Sequence, residues 1–135
     1  MRFRTIAHTS DIGLIGYGKT LPQAFANAAY GLSAIMVKLS DVQEVESRNI
    51  EVNESSIEDL LFEWLNRFIY LFDVEMLIFK RFDIKEFSPS KLVATCYGEM
   101  FDPSRHSFKT GIKSATYYLL KVDPEKNQVQ VFFDV

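Results

Sequence analysis

The chain has 135 residues, a net charge of −3 and an apolar fraction of 47%. That is the length of one domain, spanning 1–135, with enough chain to bury a core. The acidic balance excludes a general electrostatic grip on nucleic acid, and the lone cysteine, Cys96, excludes an internal disulfide. The opening residues carry no long apolar run of the signal-peptide kind. No stretch of about 18 apolar residues marks a membrane span. A cytoplasmic protein with no membrane partner is expected.

In chain order, residues 3–7 and 12–17 read as two short strands rich in β-branched and aromatic residues. Between them lies His8-Thr9-Ser10-Asp11, a turn that gathers an imidazole, two hydroxyls and a carboxylate. Gly16-Tyr17-Gly18-Lys19 signals a turn. Thr20-Leu21-Pro22-Gln23 is a capping box with proline in the first turn, so it opens a helix. That helix runs to about Val37, with Phe25, Ala28, Ala29, Leu32, Ile35 and Met36 on one face. Its alanines predict close packing on a sheet.

Residues 40–48 read as a polar loop running into a strand, of which the alternating residues 49–52 are part. Ser55-Ser56-Ile57-Glu58 opens a second helix with another capping box. Its apolar stripe, which includes Leu60, Leu61, Trp64, Leu65 and Phe68, predicts the most buried helix; it ends near Asp73. Strands follow at 76–87 and 91–99 around the Ser88-Pro89-Ser90 turn. Cys96 shares a face with Leu92 and Ala94 and reads as a core residue. Residues 101–111 form a polar loop, and the last strands are 112–122 and 129–135. The fold class is α+β: a single domain with a mixed β-sheet and two helices packed on one face.

Three groups of residues carry candidate chemistry. His8 and His106, the only histidines, both fall in turns or loops, where capping a turn is the plain alternative. Arg105, His106, Lys109 and Lys113 form a small basic cluster that suits a phosphate or an acidic partner, or is simply solvated. Asp134 ends an apolar strand, where a buried unpaired carboxylate would be costly. With Asp11 and the adjoining Val135, it would suit a hard, oxygen-seeking ion such as Ca²⁺ or Mg²⁺. Spacing alone does not bring Asp11 and Asp134 together. No Gly-x-Ser-x-Gly elbow is present.

The ordered blocks do add up to a resemblance. His8-Thr9-Ser10-Asp11-Ile12-Gly13 and the Gly-Tyr-Gly-Lys-Thr-Leu-Pro-Gln-Ala-Phe helix entry come first. Glu58–Asn66, Tyr70–Asp73, Tyr97-Gly98-Glu99, Asp102–His106, Ile112–Tyr117 and Phe133-Asp134-Val135 follow in order. The set resembles the archease family over essentially the whole chain.

That resemblance implies a protein cofactor rather than a free-standing enzyme. It would activate an RtcB-type RNA ligase in tRNA splicing, promoting guanylylation of the ligase and multiple turnover. RNA would be met only through the ligase. It also implies a divalent metal site at Asp11 and Asp134, with a backbone oxygen of Val135. Ca²⁺ is the first choice, with Mg²⁺ or Mn²⁺ as alternatives. His8, Arg105, His106 and Lys113 match polar positions of a ligase-interaction site. The chain departs from the family pattern at Gly111, where Glu is usual, and at Tyr118, where His is frequent. The rival readings are a metal-dependent hydrolase on the same carboxylates and a chaperone-like binding module.

Overall fold

The computed structural model describes residues 1–7 and 10–135; His8 and Thr9 lie outside the described residues. The elements are β1 (Phe3–Ala7), β2 (Asp11–Tyr17), α1 (Leu21–Met36), a 3-10 turn (Leu39–Asp41), β3 (Glu46–Asn53), α2 (Ile57–Glu75), β4 (Leu77–Ser88), β5 (Lys91–Met100), β6 (Ser114–Asp123) and β7 (Gln128–Asp134).

Both helices start where side chains can satisfy their free amides. Thr20 accepts from the Gln23 amide at 3.2 Å, and the Gln23 side chain accepts from the Lys19 amide at 2.6 Å. For α2 the cap is Ser56, which accepts from the Asp59 amide at 3.1 Å. That is one residue later than the Ser55–Glu58 pairing suggested by the spacing. The helix also continues past Asp73 to Glu75 and ends on Met76 in the left-handed conformation, φ 59°.

The α+β class is as expected, but the strands form two antiparallel sheets rather than one mixed sheet. One has the order β1-β2-β7-β6 and the other β3-β5-β4. The reason lies in the connections. A parallel pair needs a crossover that returns to the same sheet. The α1 connection leads from the first sheet to the second. The α2 connection does join two parallel strands, β3 and β4, but β5 lies between them and pairs antiparallel with both. β3 begins at Glu46, earlier than the sequence pattern suggested, because its first residues are polar and give no alternating signal.

α1 packs on β2 and β4, and α2 on β6 and β4. Trp64, Phe25, Phe68, Phe79 and Phe133 are among the largest fully buried side chains. Trp64 meets Phe68 edge-on, with centroids 4.6 Å apart, and donates to the Phe25 carbonyl at 2.9 Å, tying α2 to α1. The alanines of α1 do approach the sheet closely. A Cβ at Gly16 would lie 2.7 Å from the Ala24 carbonyl oxygen, so only glycine allows that contact. Among the described residues no helix is long and apolar enough to cross a membrane.

Candidate functional site

The strand register assembles the site. β2 and β7 run antiparallel, and Asp11 lies directly opposite Asp134. Side chains alternate along a strand. Leu14, Val131 and Phe133 are buried in the core, so Asp11, Gly13, Phe132 and Asp134 belong to the opposite face. Directly opposed residues in an antiparallel pair have Cα atoms about 4.5–5.5 Å apart, so the two carboxylates are neighbours. Asp134 is exposed and Asp11 half-buried.

The next strand extends the arrangement. Ser114 of β6 lies opposite Asp134. Three oxygen-bearing side chains, Asp11, Asp134 and Ser114, therefore form a row across three strands. Two backbone contacts hold the end of the row. The Lys113 amide donates to the Asp134 carbonyl at 2.8 Å, and the Ala115 amide donates to the Asn66 side chain of α2 at 2.8 Å.

Gly13, two residues from Asp11, is needed for the same packing. A Cβ there would sit 2.6 Å from the Phe132 ring and 3.1 Å from Cβ of Ile6. The Phe132 ring occupies the space that a side chain at 13 would fill.

Like charges placed directly opposite one another destabilise a sheet. The row gathers negative charge of a kind that a cation would favour. Its donors are oxygen only, which fits a hard ion such as Ca²⁺ or Mg²⁺ better than a soft metal. Among the described residues, no three or more His, Cys, Asp or Glu side chains come together as a metal-binding group. Two carboxylates and a hydroxyl leave several of the six to eight oxygen positions of Ca²⁺ to be filled by backbone, water or a partner.

Val135 adjoins the row. It lines a pocket of about 410 Å³ with Phe72, Phe108, Ile112 and Lys113. Gly111 lines the same pocket, and a Cβ there would meet only the Phe108 ring, at 3.8 Å. Lys113, one of the expected polar residues, is therefore beside Asp134. His8 lies outside the described residues.

Arg105 and His106 have different partners. Both hold Glu99, which is 6% exposed. Arg105 Nη2 donates to Glu99 Oε1 at 2.5 Å. His106 Nδ1 accepts from the Asp102 amide at 2.8 Å, so its proton sits on Nε2, which donates to Glu99 Oε2 at 3.0 Å. The Gln43 amide adds a bond of 2.7 Å to the same oxygen. The Arg105 guanidinium is the main reason that the Glu99 carboxyl is pulled down to about 2; burial opposes the shift, and the Gln43 amide and His106 add to it. His106 is only 4% exposed, with both nitrogens engaged. Lys109 donates to the Ala34 carbonyl at 2.8 Å. Cys96 is buried, and burial pushes its thiol up to about 12, so it is inert as a nucleophile.

Sequence reasoning quoted Glu99, Ser114 and Asn66 within the blocks of the resemblance but gave them no role. Glu99 had a usable signal: it is a carboxylate in an apolar strand, the feature that singled out Asp134. Ser114 and Asn66 had none, because their roles come from register and from helix placement.

With this geometry in hand, comparisons with known proteins are informative. Residues 3–135 match the model of the Archease protein family. Protein archease of Sulfurisphaera tokodaii is 31% identical over 135 residues, covering 99% of this chain and 97% of the relative. Protein archease of Thermococcus kodakarensis is 38% identical over 119 residues, covering 86% and 84%. In three dimensions, the solution structure of protein 1598 from Methanobacterium thermoautotrophicum aligns over 99% of both chains with a TM-score of 0.76 and 24% identity. The crystal structure of an archease from Thermotoga maritima, described as a possible chaperone, aligns over 98% of this chain and 96% of that one, with a TM-score of 0.59 and 20% identity.

Proposed function

Because the chain belongs to the archease family, we propose that it is a protein cofactor of an RtcB-type RNA ligase. It promotes guanylylation of the ligase and multiple turnover in tRNA splicing, in the cytoplasm, and meets RNA only through the ligase. The observation that carries this reading is the direct opposition of Asp11 and Asp134 at the surface. Two carboxylates with an adjacent hydroxyl bind and orient a divalent cation, Ca²⁺ first and Mg²⁺ or Mn²⁺ as alternatives. A bound cation supplies positive charge to nucleotide phosphates. Asp11 and Asp134 hold that charge at an exposed edge, where a partner can supply the missing ligands. Lys113 and Val135 flank the row, and the Val135 backbone oxygen is available as a further donor. His8, next to this end of β2 in sequence, is assigned to the ligase contact. Arg105 and His106 serve it indirectly, by fixing the loop that leads to Lys113.

The test is ligation with the ligase limiting. Catalytic amounts of this protein should convert a single turnover into many, and Asp11→Ala should abolish the effect while leaving the fold intact. Unchanged turnover with a competent ligase, or normal stimulation by Asp11→Ala, would refute the reading.

A chaperone-like module is the second reading, favoured by the exposed Tyr117, Tyr118 and Leu119. It requires suppression of aggregation of unrelated proteins, independent of Asp11.

A further inference from the structure

The outer face of the first sheet changes sign of charge along its length. Directly opposed residues of an antiparallel pair share a face. The register therefore sets Arg4, Ile15, Gln130 and Lys121 in one row across all four strands. Ile15 is four residues from Asp11 on β2, so this row and the carboxylate row lie on the same face, about 13 Å apart at strand rise. The carboxylates stand at one end of the face and the cations at the other.

At the cationic end a cleft of about 150 Å³ opens against the β6–β7 hairpin, with Lys121, Lys126, Gln128 and Gln130 in its wall. Arg48, Arg81, Lys91 and Arg105 each pair with a carboxylate elsewhere in the molecule. Among the described residues, the Lys121 and Lys126 ammonium groups have no such partner. The carboxylate in the same wall, Asp123, is committed to the turn: its Oδ1 accepts from the Glu125 amide at 3.1 Å and from the Lys126 amide at 3.2 Å. The Gln130 side chain is held in place by donating to the Leu119 carbonyl at 2.8 Å. Arg4, beyond Ile15 in the row, donates from Nε to the Tyr17 hydroxyl at 3.2 Å and adds its charge to this end.

We infer that this cleft is a binding site for a phosphate group. Two ammonium groups and two side-chain amides converge on a space of that size, and all four carry N–H donors. A phosphate brings close to two negative charges and at least three acceptor oxygens, which matches that donor set better than the two oxygens of a carboxylate. A metal cation is repelled by the lysines. A long polyanion laid along the face would run onto Asp11 and Asp134, so the ligand is small. Two sources offer the same chemistry, inorganic phosphate and a mononucleotide. Phe132 is two residues from Gln130 on β7 and shares its face, and the half-exposed Tyr118 lies on the Phe132 ring with centroids 5.8 Å apart. That ring gives the base of a nucleotide a surface to stack on beside the cleft. The site goes beyond the ligase role proposed above: it is distinct from the carboxylate row and needs neither the ligase nor a divalent ion.

The test is an NMR titration of the full chain, in chelator and at ionic strength held constant with chloride, with sodium phosphate and with adenosine 5′-monophosphate. Both should shift Lys121, Lys126, Gln128 and Gln130. Tighter binding of the nucleotide with a shift at Tyr118 identifies the nucleotide as the source. Equal affinities with Tyr118 unmoved identify free phosphate. The Lys121→Gln/Lys126→Gln double variant, altered only at exposed positions, should bind about tenfold more weakly. Lys85→Gln, which removes an exposed lysine of the second sheet, should bind as the wild type does. No shifts with either ligand, the same shifts with chloride alone, shifts centred elsewhere, undiminished binding by the double variant, or an equal loss in Lys85→Gln would each overturn the inference.

Discussion

Glu99 and Asp134 are both carboxylates set in otherwise apolar strands, and the molecule treats them in opposite ways. Glu99 is buried and surrounded by donors: Arg105, His106 and the Gln43 amide. Asp134 is exposed and faces another carboxylate. The first arrangement stabilises the fold. It closes the loop between β5 and β6 onto the residues after the 3-10 turn. The second sets two like charges across one strand pair near the surface. A cluster whose charges are matched internally serves structure, whereas one whose charges conflict is a candidate for binding.

Substitutions at the two places should therefore have opposite signs. The largest effect is expected at Glu99. Replacing it with Gln removes the charge that Arg105 and His106 are built around. It should cost about 2–3 kcal/mol in urea unfolding, toward the lower end for breaking a buried pair because Arg105 is half exposed. The pH dependence follows from the same group. Its folded carboxyl lies near 2, below the ordinary 4.5. A depressed value means that its stabilisation is fully present above pH 4.5 and is lost as pH falls from there toward 2. The wild type should lose stability across that window more steeply than Glu99→Gln; equal slopes would remove Glu99 from its stabilising role.

Gly13→Ala comes next. The added Cβ forces the Phe132 ring to move and crowds Ile6, so about 1 kcal/mol should be lost. The Asp11–Asp134 pair should be displaced with it, and cation affinity measured by calorimetry should fall. Retention of full affinity would show that the ring does not set the row.

Gly111→Glu should leave stability within about 0.5 kcal/mol, since a side chain there has room. It restores the carboxylate usual in the archease pattern beside Val135 and Lys113, and Ca²⁺ binding should tighten roughly threefold to tenfold. Ser114→Ala has the smallest expected effect, about a twofold loss of Ca²⁺ affinity, because a hydroxyl is a weaker ligand than a carboxylate. A larger loss than that seen with Gly13→Ala would make Ser114 central to the row.

The helices were largely legible in advance because their signals are local. Thr20, Pro22 and Gln23 mark the start of α1, and an apolar stripe runs through α2. The shift of the α2 cap from Ser55 to Ser56 is the kind of error that two adjacent serines produce. The division into two sheets was not legible, because nothing local says that β5 will insert between β3 and β4. Asp134 stood out as a carboxylate ending an apolar strand, and Asp11 as part of a polar turn. Their opposition depends on the first hairpin meeting the last one, which is a property of topology. The basic cluster shows the converse. Arg105, His106, Lys109 and Lys113 are close in sequence, yet only Arg105 and His106 share a partner, Glu99, while Lys109 turns to the Ala34 carbonyl and Lys113 lies beside Asp134. Proximity along the chain identified the Arg105–His106 pair but not the separation of Lys109 and Lys113 from it.

The most direct measurement is thermal unfolding of the wild type and Asp134→Asn, each in chelator and in excess Ca²⁺. Removing one of two opposed carboxylates should raise the unfolding temperature in chelator by a few degrees, on the order of 0.5 kcal/mol. The same change should abolish the further rise that Ca²⁺ gives the wild type by binding the folded state. A wild type indifferent to Ca²⁺, or an Asp134→Asn variant stabilised by Ca²⁺ as fully as the wild type, would contradict a cation site built on Asp11 and Asp134.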